Sequence, residues 1–270
     1  MRLNGRVLTI AGSDSSGGAG IQADIKTITA LGAYAETAIT AITVQDTLRV
    51  HSVHPLPTEQ IAAQLACVLA DPGVDAVKTG LLPDAAAIDA IAIILLEQGS
   101  GIPLVLDPVA VATSGDRLVS DDALNAIRRL FARATIITPN RAEAERLTGR
   151  PIATLDDARA AAAALRDQGA TAVLLKGGHT DGAETLTDLL LTDQGETLFT
   201  HPRQNTVHTH GTGCTLSAAI ATGLAQQLSL LDSVARAIAY VQQAIAEAPA
   251  IGAGHGPLNH AITVHPFTLQ

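Results

Sequence analysis

Short β-branched apolar runs alternate along the chain with longer stretches in which apolar residues recur every three or four positions. Arg6–Ala11, Thr37–Val44, Ala76–Thr79, Leu104–Leu106, Thr135–Thr138 and Ala172–Lys176 read as strands. Gly18–Leu31, Thr58–Ala70, Asp84–Glu97, Asp121–Ala132, Asn140–Leu147 and Leu155–Gln168 read as helices. Ser120 and Thr154 stand before acidic first turns, where caps belong, and Gly99 and Gly169 stop the helices before them. This alternation predicts an α/β fold with a mostly parallel, doubly wound sheet. After Lys176-Gly177-Gly178 the period changes. "ETLTDLLLTDQGETLFTHPR" predicts two strands around Asp193-Gln194-Gly195, an antiparallel hairpin on the sheet edge. Helices over about Cys214–Gln226 and Ser229–Ala248 follow. No linker or repeat divides the chain, so residues 1–270 read as one domain.

Composition narrows the partners. The formal net charge is −9 with no basic run, which argues against nucleic acid and anionic membrane surfaces. With no tryptophan, two tyrosines and three phenylalanines, the core must be built from Ala, Leu, Ile and Val. Cys67 and Cys214 do not make a disulfide framework. The N-terminal stretch reads as neither a signal peptide nor a span, and the longest apolar run, Ala90–Leu96, is too short to cross a bilayer. A soluble cytoplasmic protein is expected.

Ligands of open parallel sheets bind beyond the carboxyl ends of the strands. Here that rim carries Gly12–Gly18, Gln45-Asp46, Lys78-Thr79-Gly80, Asp107-Pro108, Pro139-Asn140 and Lys176-Gly177-Gly178. "AGSDSSGGAGIQAD" is not a Walker A loop, since no Gly-Lys-Ser/Thr follows. It reads either as a close-packed turn or as a small-molecule site that Asp24 faces. Lys176 is either a solvated lysine or a mobile charge for phosphates. Asn140 and Glu143 make a capping box, or an amide and a carboxylate arranging water around Mg²⁺, with Asp107 as a second carboxylate. His208 and His210 could bind a metal, but on a strand or loop they read rather as polar surface. Gly211-Thr212-Gly213-Cys214 offers successive N–H groups at a helix start, a nest suited to a transferring phosphoryl group. The same helix start is expected to depress the Cys214 thiol pKa. Anion nest, reactive thiol and simple turn remain open there.

Taken in order, "AGSDSSGGAGIQADIKT", "VQDT", "DPV", "TPNxxEA", "KGGH", "HGTGCTLSAA" and "GHGPLNH" resemble the hydroxymethylpyrimidine/phosphomethylpyrimidine kinases, within the ribokinase-like kinases. The resemblance spans nearly the whole chain. It implies a three-layer α/β/α fold, ATP with Mg²⁺, and two successive phosphoryl transfers, onto a hydroxymethylpyrimidine and then onto its monophosphate. It implies a pyrimidine pocket of Gln45, Asp24, Gly12, Val44 and Val109. Cys214, Lys176, Gly211 and Gly213 would act in transfer, with Lys176, Asn140, Thr212 and Asp107 toward the nucleotide and Glu143 and Asp107 toward the metal. Related sugar kinases have a catalytic aspartate where Cys214 stands. A homodimer is the expected assembly. The alternatives are a pyridoxal kinase, a nucleotide-binding regulator and a Rossmann-type oxidoreductase.

Overall fold

The computed structural model describes residues 3–110, 115–116, 118–177 and 184–265. Gly178 and His179 of the expected "KGGH" turn lie outside the described residues. Among those described, the strands are β1 (Arg6–Asp14), β2 (Tyr34–Gln45), β3 (Val50–Pro55), β4 (Ala76–Thr79), β5 (Leu104–Leu106), β6 (Ile136–Ile137), β7 (Val173–Leu175), β8 (Thr185–Thr192) and β9 (Gly195–Pro202). The helices are α1 (Gly20–Ala30), α2 (Thr58–Ala70), α3 (Ala85–Glu97), α4 (Asp121–Ala126), α5 (Arg141–Thr148), α6 (Leu155–Asp167), α7 (Thr212–Ala225) and α8 (Leu230–Ala246). None of them is long and apolar enough to cross a membrane.

All nine strands join one sheet in the order β3-β2-β1-β4-β5-β6-β7-β8-β9. The six from β2 to β7 run parallel, while β3 closes one edge and the β8–β9 hairpin the other, antiparallel. Alternation along the strands sorts side chains into two cores. Leu8, Ile10 and Val77 pack with Ile61, Leu65, Ile88 and Ile91 of α2 and α3. Val7, Ala76 and Val105 pack with Ile28 of α1, Ala218 and Ala221 of α7, and Val241 of α8. The fold is therefore α/β/α in three layers, as expected. Alanines let α7 lie close against the sheet.

Three expectations change. The β1 strand continues through Gly12-Ser13-Asp14, which were read as loop; past an irregularity after Ala11, Ser13 and Asp14 pair with Ile42 and Thr43 of β2. The β3 strand was not expected, because "VHSVHP" is a half-exposed edge strand with a serine, two histidines and a terminal proline. The helix expected over Asp121–Ala132 stops at Ala126 and continues as a 3-10 turn through Arg133. Above the β2–β3 turn lies a late stretch of chain. The His255 N–H donates to Thr47 O at 2.7 Å, Gly254 N–H to Thr47 Oγ1 at 3.3 Å, and His255 Nδ1 stands 3.1 Å from Val207 O.

Candidate active site

The β1 and β4 side chains that face α1 carry the first cluster of charge. Thr9 and Lys78 point there, and α1 presents Asp24 to both. Lys78 Nζ donates to both Asp24 oxygens at 3.0 and 2.8 Å, and Thr9 Oγ1 donates at 2.5 Å. Both members of the pair are fully buried. Burial favours neutral forms here, raising Asp24 and opposing the charge on Lys78. The facing carboxylates and Cys214 outweigh burial at the lysine and raise it. The expectation that Asp24 faces a ligand is corrected: its oxygens are taken by Lys78, and it lies beneath the site.

Asp14 ends β1 and organises the next five residues. Its oxygens accept from Ser16 N–H (2.8 Å), Gly18 N–H (3.1 Å), Ala19 N–H (2.7 Å) and the Ser16 hydroxyl, and from His210 Nε2 at 2.8 Å. Burial pushes this carboxyl up, but the His210, Ser16 and Ala19 hydrogen bonds prevail and hold it at about 2. His210 is buried, so its reading as polar surface is also corrected. Its ring lies where a Cβ on Gly18 would have to go. Gln45 stands at the end of β2 with its amide 3.2 Å from His210 Nε2 and its backbone N–H donating to Ser15 Oγ at 3.0 Å. Gly12 is buried against Leu81, Val44 is 49% exposed on β2, and Val109 is half-buried after β5.

The α7 helix starts at Gly211, whose φ of +84° is left-handed, and any Cβ there would collide with Gly18 O. Glycine is thus required where the two loops meet. Thr212 donates its hydroxyl hydrogen to Thr209 O at 2.7 Å. Cys214 follows, half-buried. The expected depression of its pKa is not found. Burial pushes the thiol up to about 11, the Asp24 and Asp107 charges adding while Lys78 and the Gly20 N–H oppose.

Beyond Gly213 lies a second charged corner. Lys176 Nζ donates to Asp107 Oδ1 at 3.2 Å. Thr138 and Ser217 hydroxyls hold Asp107 Oδ1 and Oδ2 at 2.9 and 3.2 Å. A Cβ on Gly213 would stand 3.3 Å from Lys176 Nζ and 3.6 Å from Asp107 Oδ2, so that glycine brings the helix start against both charges. Glu143 is buried, and both halves of its capping box with Asn140 are formed: Glu143 N–H donates to Asn140 Oδ1 at 2.9 Å and Asn140 N–H to Glu143 Oε2 at 2.8 Å. Burial lifts the Glu143 carboxyl to about 7, Lys176 opposing and Asp107 adding. The edge hairpin braces this corner from behind, because Asp188 of β8 accepts from Gly177 N–H at 2.8 Å.

The structure thus gathers Lys176, Asp107, Asn140, Glu143, Thr212, Gly213 and Cys214 around the start of α7, with Gln45, His210 and Asp14 on its other side. Among the described residues no group of three or more His, Cys, Asp or Glu is placed to hold a metal directly. The hard oxygens of Asp107 and Glu143 beside Lys176 nevertheless suit a hydrated divalent cation, whose charge favours the ionised form of Glu143. The sequence put Asp14 and Lys78 on the rim without a role, weighed His210 as surface or metal ligand, and did not single out Asp188.

Residues 14–259 match the family model for phosphomethylpyrimidine kinase. The chain is 45% identical over 256 residues to the hydroxymethylpyrimidine/phosphomethylpyrimidine kinase of Bacillus subtilis, covering 94% of each. It is 47% identical over 259 residues to the thiamine biosynthesis bifunctional protein of Geobacter sulfurreducens; this spans 96% of the chain but only 52%, about half, of that longer protein. Its backbone superposes on the ADP complex of Bacillus subtilis pyridoxal kinase with a TM-score of 0.88 at 36% identity, covering 96% of this chain and 98% of that one.

Proposed function

Since this chain belongs to the phosphomethylpyrimidine kinase family, we propose that it phosphorylates 4-amino-5-hydroxymethyl-2-methylpyrimidine from ATP, and then its monophosphate to the diphosphate, for thiamine biosynthesis. The observation that carries this reading is one helix start, that of α7, standing between the Gln45 amide and the Lys176–Asp107 corner. An aminopyrimidine edge has adjacent donor and acceptor atoms, and a carboxamide pairs with both at once. Phosphoryl transfer asks for positioning and charge neutralisation more than for covalent chemistry. The acceptor hydroxymethyl oxygen sits toward Cys214. Lys176 and the N–H groups of Gly211, Gly213 and Cys214 neutralise charge on the moving phosphoryl group, the Thr212 N–H being held by Thr209 O at 3.2 Å. Asp107 and Glu143 would hold Mg²⁺, and Asn140 and Thr212 would face the nucleotide. When bound, the cation shields phosphate charge. The protein works in the cytoplasm as a homodimer, for which sedimentation should give twice the chain mass.

A second reading is favoured by the superposition on a pyridoxal kinase: the same site phosphorylates a pyridine alcohol. A coupled ADP assay over pyrimidine and pyridine alcohols, with products identified by mass, decides between them. The pyrimidine should give mono- and diphosphate, and Gln45→Met should lose most of the preference for it. Equal kcat/KM for pyridoxal and the pyrimidine in the unaltered enzyme would sink the first reading.

A further inference from the structure

The Gln45 amide has two faces that differ only by a half-turn of its last bond, and hydrogen bonding decides which one a ligand meets. Two neighbours make the decision. The Thr43 hydroxyl lies 2.9 Å from Ser13 O and 3.3 Å from the nearer Gln45 amide atom. A hydroxyl has one hydrogen, and the shorter contact, with a carbonyl that can only accept, takes it. Thr43 Oγ1 is then an acceptor toward Gln45. On the other side, His210 Nε2 lies 2.8 Å from Asp14 Oδ2 and 3.2 Å from the other amide atom of Gln45. Asp14 is an ionised acceptor, saturated by backbone N–H groups, so Nε2 must carry a hydrogen whether the ring is neutral or charged. That hydrogen goes first to Asp14, the shorter contact; Nε2 then has no lone pair for an amide NH₂, whereas an amide oxygen can share the hydrogen as a second acceptor. The amide stands with Nε2 3.2 Å from His210 and Oε1 3.3 Å from Thr43, and both neighbours ask for it turned over: Gln45 Oε1 toward His210 and Gln45 NH₂ toward Thr43.

We propose that His210, held by Asp14, is a positioning and specificity-determining residue that fixes the face of the Gln45 amide shown to the acceptor substrate. The second lone pair of Oε1 then meets the ligand on the His210 side, and the second N–H on the Thr43 side. A ligand edge with its donor and acceptor in that order is bound. One with the order reversed, or lacking either group, leaves a buried amide atom unpaired. Without the Asp14–His210 pair only the longer Thr43 contact, at 3.3 Å, orients the amide, and this discrimination weakens. The inference deepens the kinase reading above and rests on it for the identity of the substrate.

The test has two arms that fail independently. In the unaltered protein, ¹⁵N-edited NMR of the Gln45 side-chain NH₂ should show cross-peaks to the Thr43 methyl and none to the His210 ring hydrogens; the opposite pattern overturns the proposal. In kinetics, His210→Met removes the N–H and should lower kcat/KM for the aminopyrimidine alcohol roughly 10- to 100-fold, mainly through KM. Its kcat/KM for pyridoxine should fall by a smaller factor, so that the ratio narrows. His210→Gln, whose amide can reach the Nε2 position with an N–H, should restore most of the ratio and serves if the methionine variant does not fold. Parallel losses on both alcohols, or no rescue by glutamine, would reduce His210 to a packing residue. An unaltered enzyme inactive on the aminopyrimidine would sink the kinase reading instead, while the NMR arm would still judge the amide.

Discussion

Burial of the Cys214 thiol changes what can be asked of it. A thiol held near 11 is almost wholly protonated at neutral pH. Iodoacetamide should therefore alkylate the exposed Cys67 first at pH 7, with the Cys214 rate climbing about tenfold per pH unit through pH 9, as read by peptide mass. Cys214→Ser should cost the first transfer less than about tenfold, because no thiolate base is being removed. A single-turnover loss of 100-fold confined to that first step would restore the thiolate base. Residues such as Gln45, Lys176, Asp107 and Glu143 were legible because each follows or caps an element on the rim where ligands bind. Asp14 with His210, 196 positions apart, and Asp24 with Lys78, 54 apart, were not. Nothing local in the sequence says that such residues will meet, and a histidine between Thr209 and Gly211 looks like surface until the fold buries it.

At the scale of elements, α5 serves stability and chemistry through the same pair. Asn140→Ala removes the cap and should cost about 1 kcal/mol in denaturant unfolding. Glu143→Gln still accepts from the Asn140 N–H, so its stability should stay within about 0.5 kcal/mol. Its kcat should fall roughly 10- to 1,000-fold and its Mg²⁺ requirement should rise. Unchanged kcat at saturating ATP and Mg²⁺ would leave Glu143 only its cap. Elements with strong periodicity matched well: Thr58–Ala70, Ala76–Thr79 and Leu104–Leu106 fall where the pattern put them. The exposed edge strand β3 has no such pattern, and its existence depends on β2 being long enough to pair with it.

For the molecule as a whole, one buried carboxyl sets a stability slope with pH. Glu36 of β2 is buried with neither oxygen hydrogen-bonded among the described residues. Burial lifts it to about 7, with Arg6 opposing and Asp75 adding. The folded state therefore holds this proton more tightly than the unfolded chain, and stability falls as pH rises from about 4.5 to 7. Glu36→Gln should gain on the order of 1–3 kcal/mol over the unaltered protein at pH 8 and little at pH 4, by urea unfolding at both. An equal gain at both values would assign the effect to packing. The contact of Gly254 and His255 with Thr47 bears on time as well as on energy, because its partners lie 207 residues apart in the case of Gly254. At roughly 5–20 residues per second of synthesis, the β2–β3 turn waits on the order of 10–40 s on the ribosome before the stretch that covers it has even been made. A nascent chain thus carries its Gln45 wall long before that wall is closed, and an exposed hairpin is something a chaperone can hold through the interval.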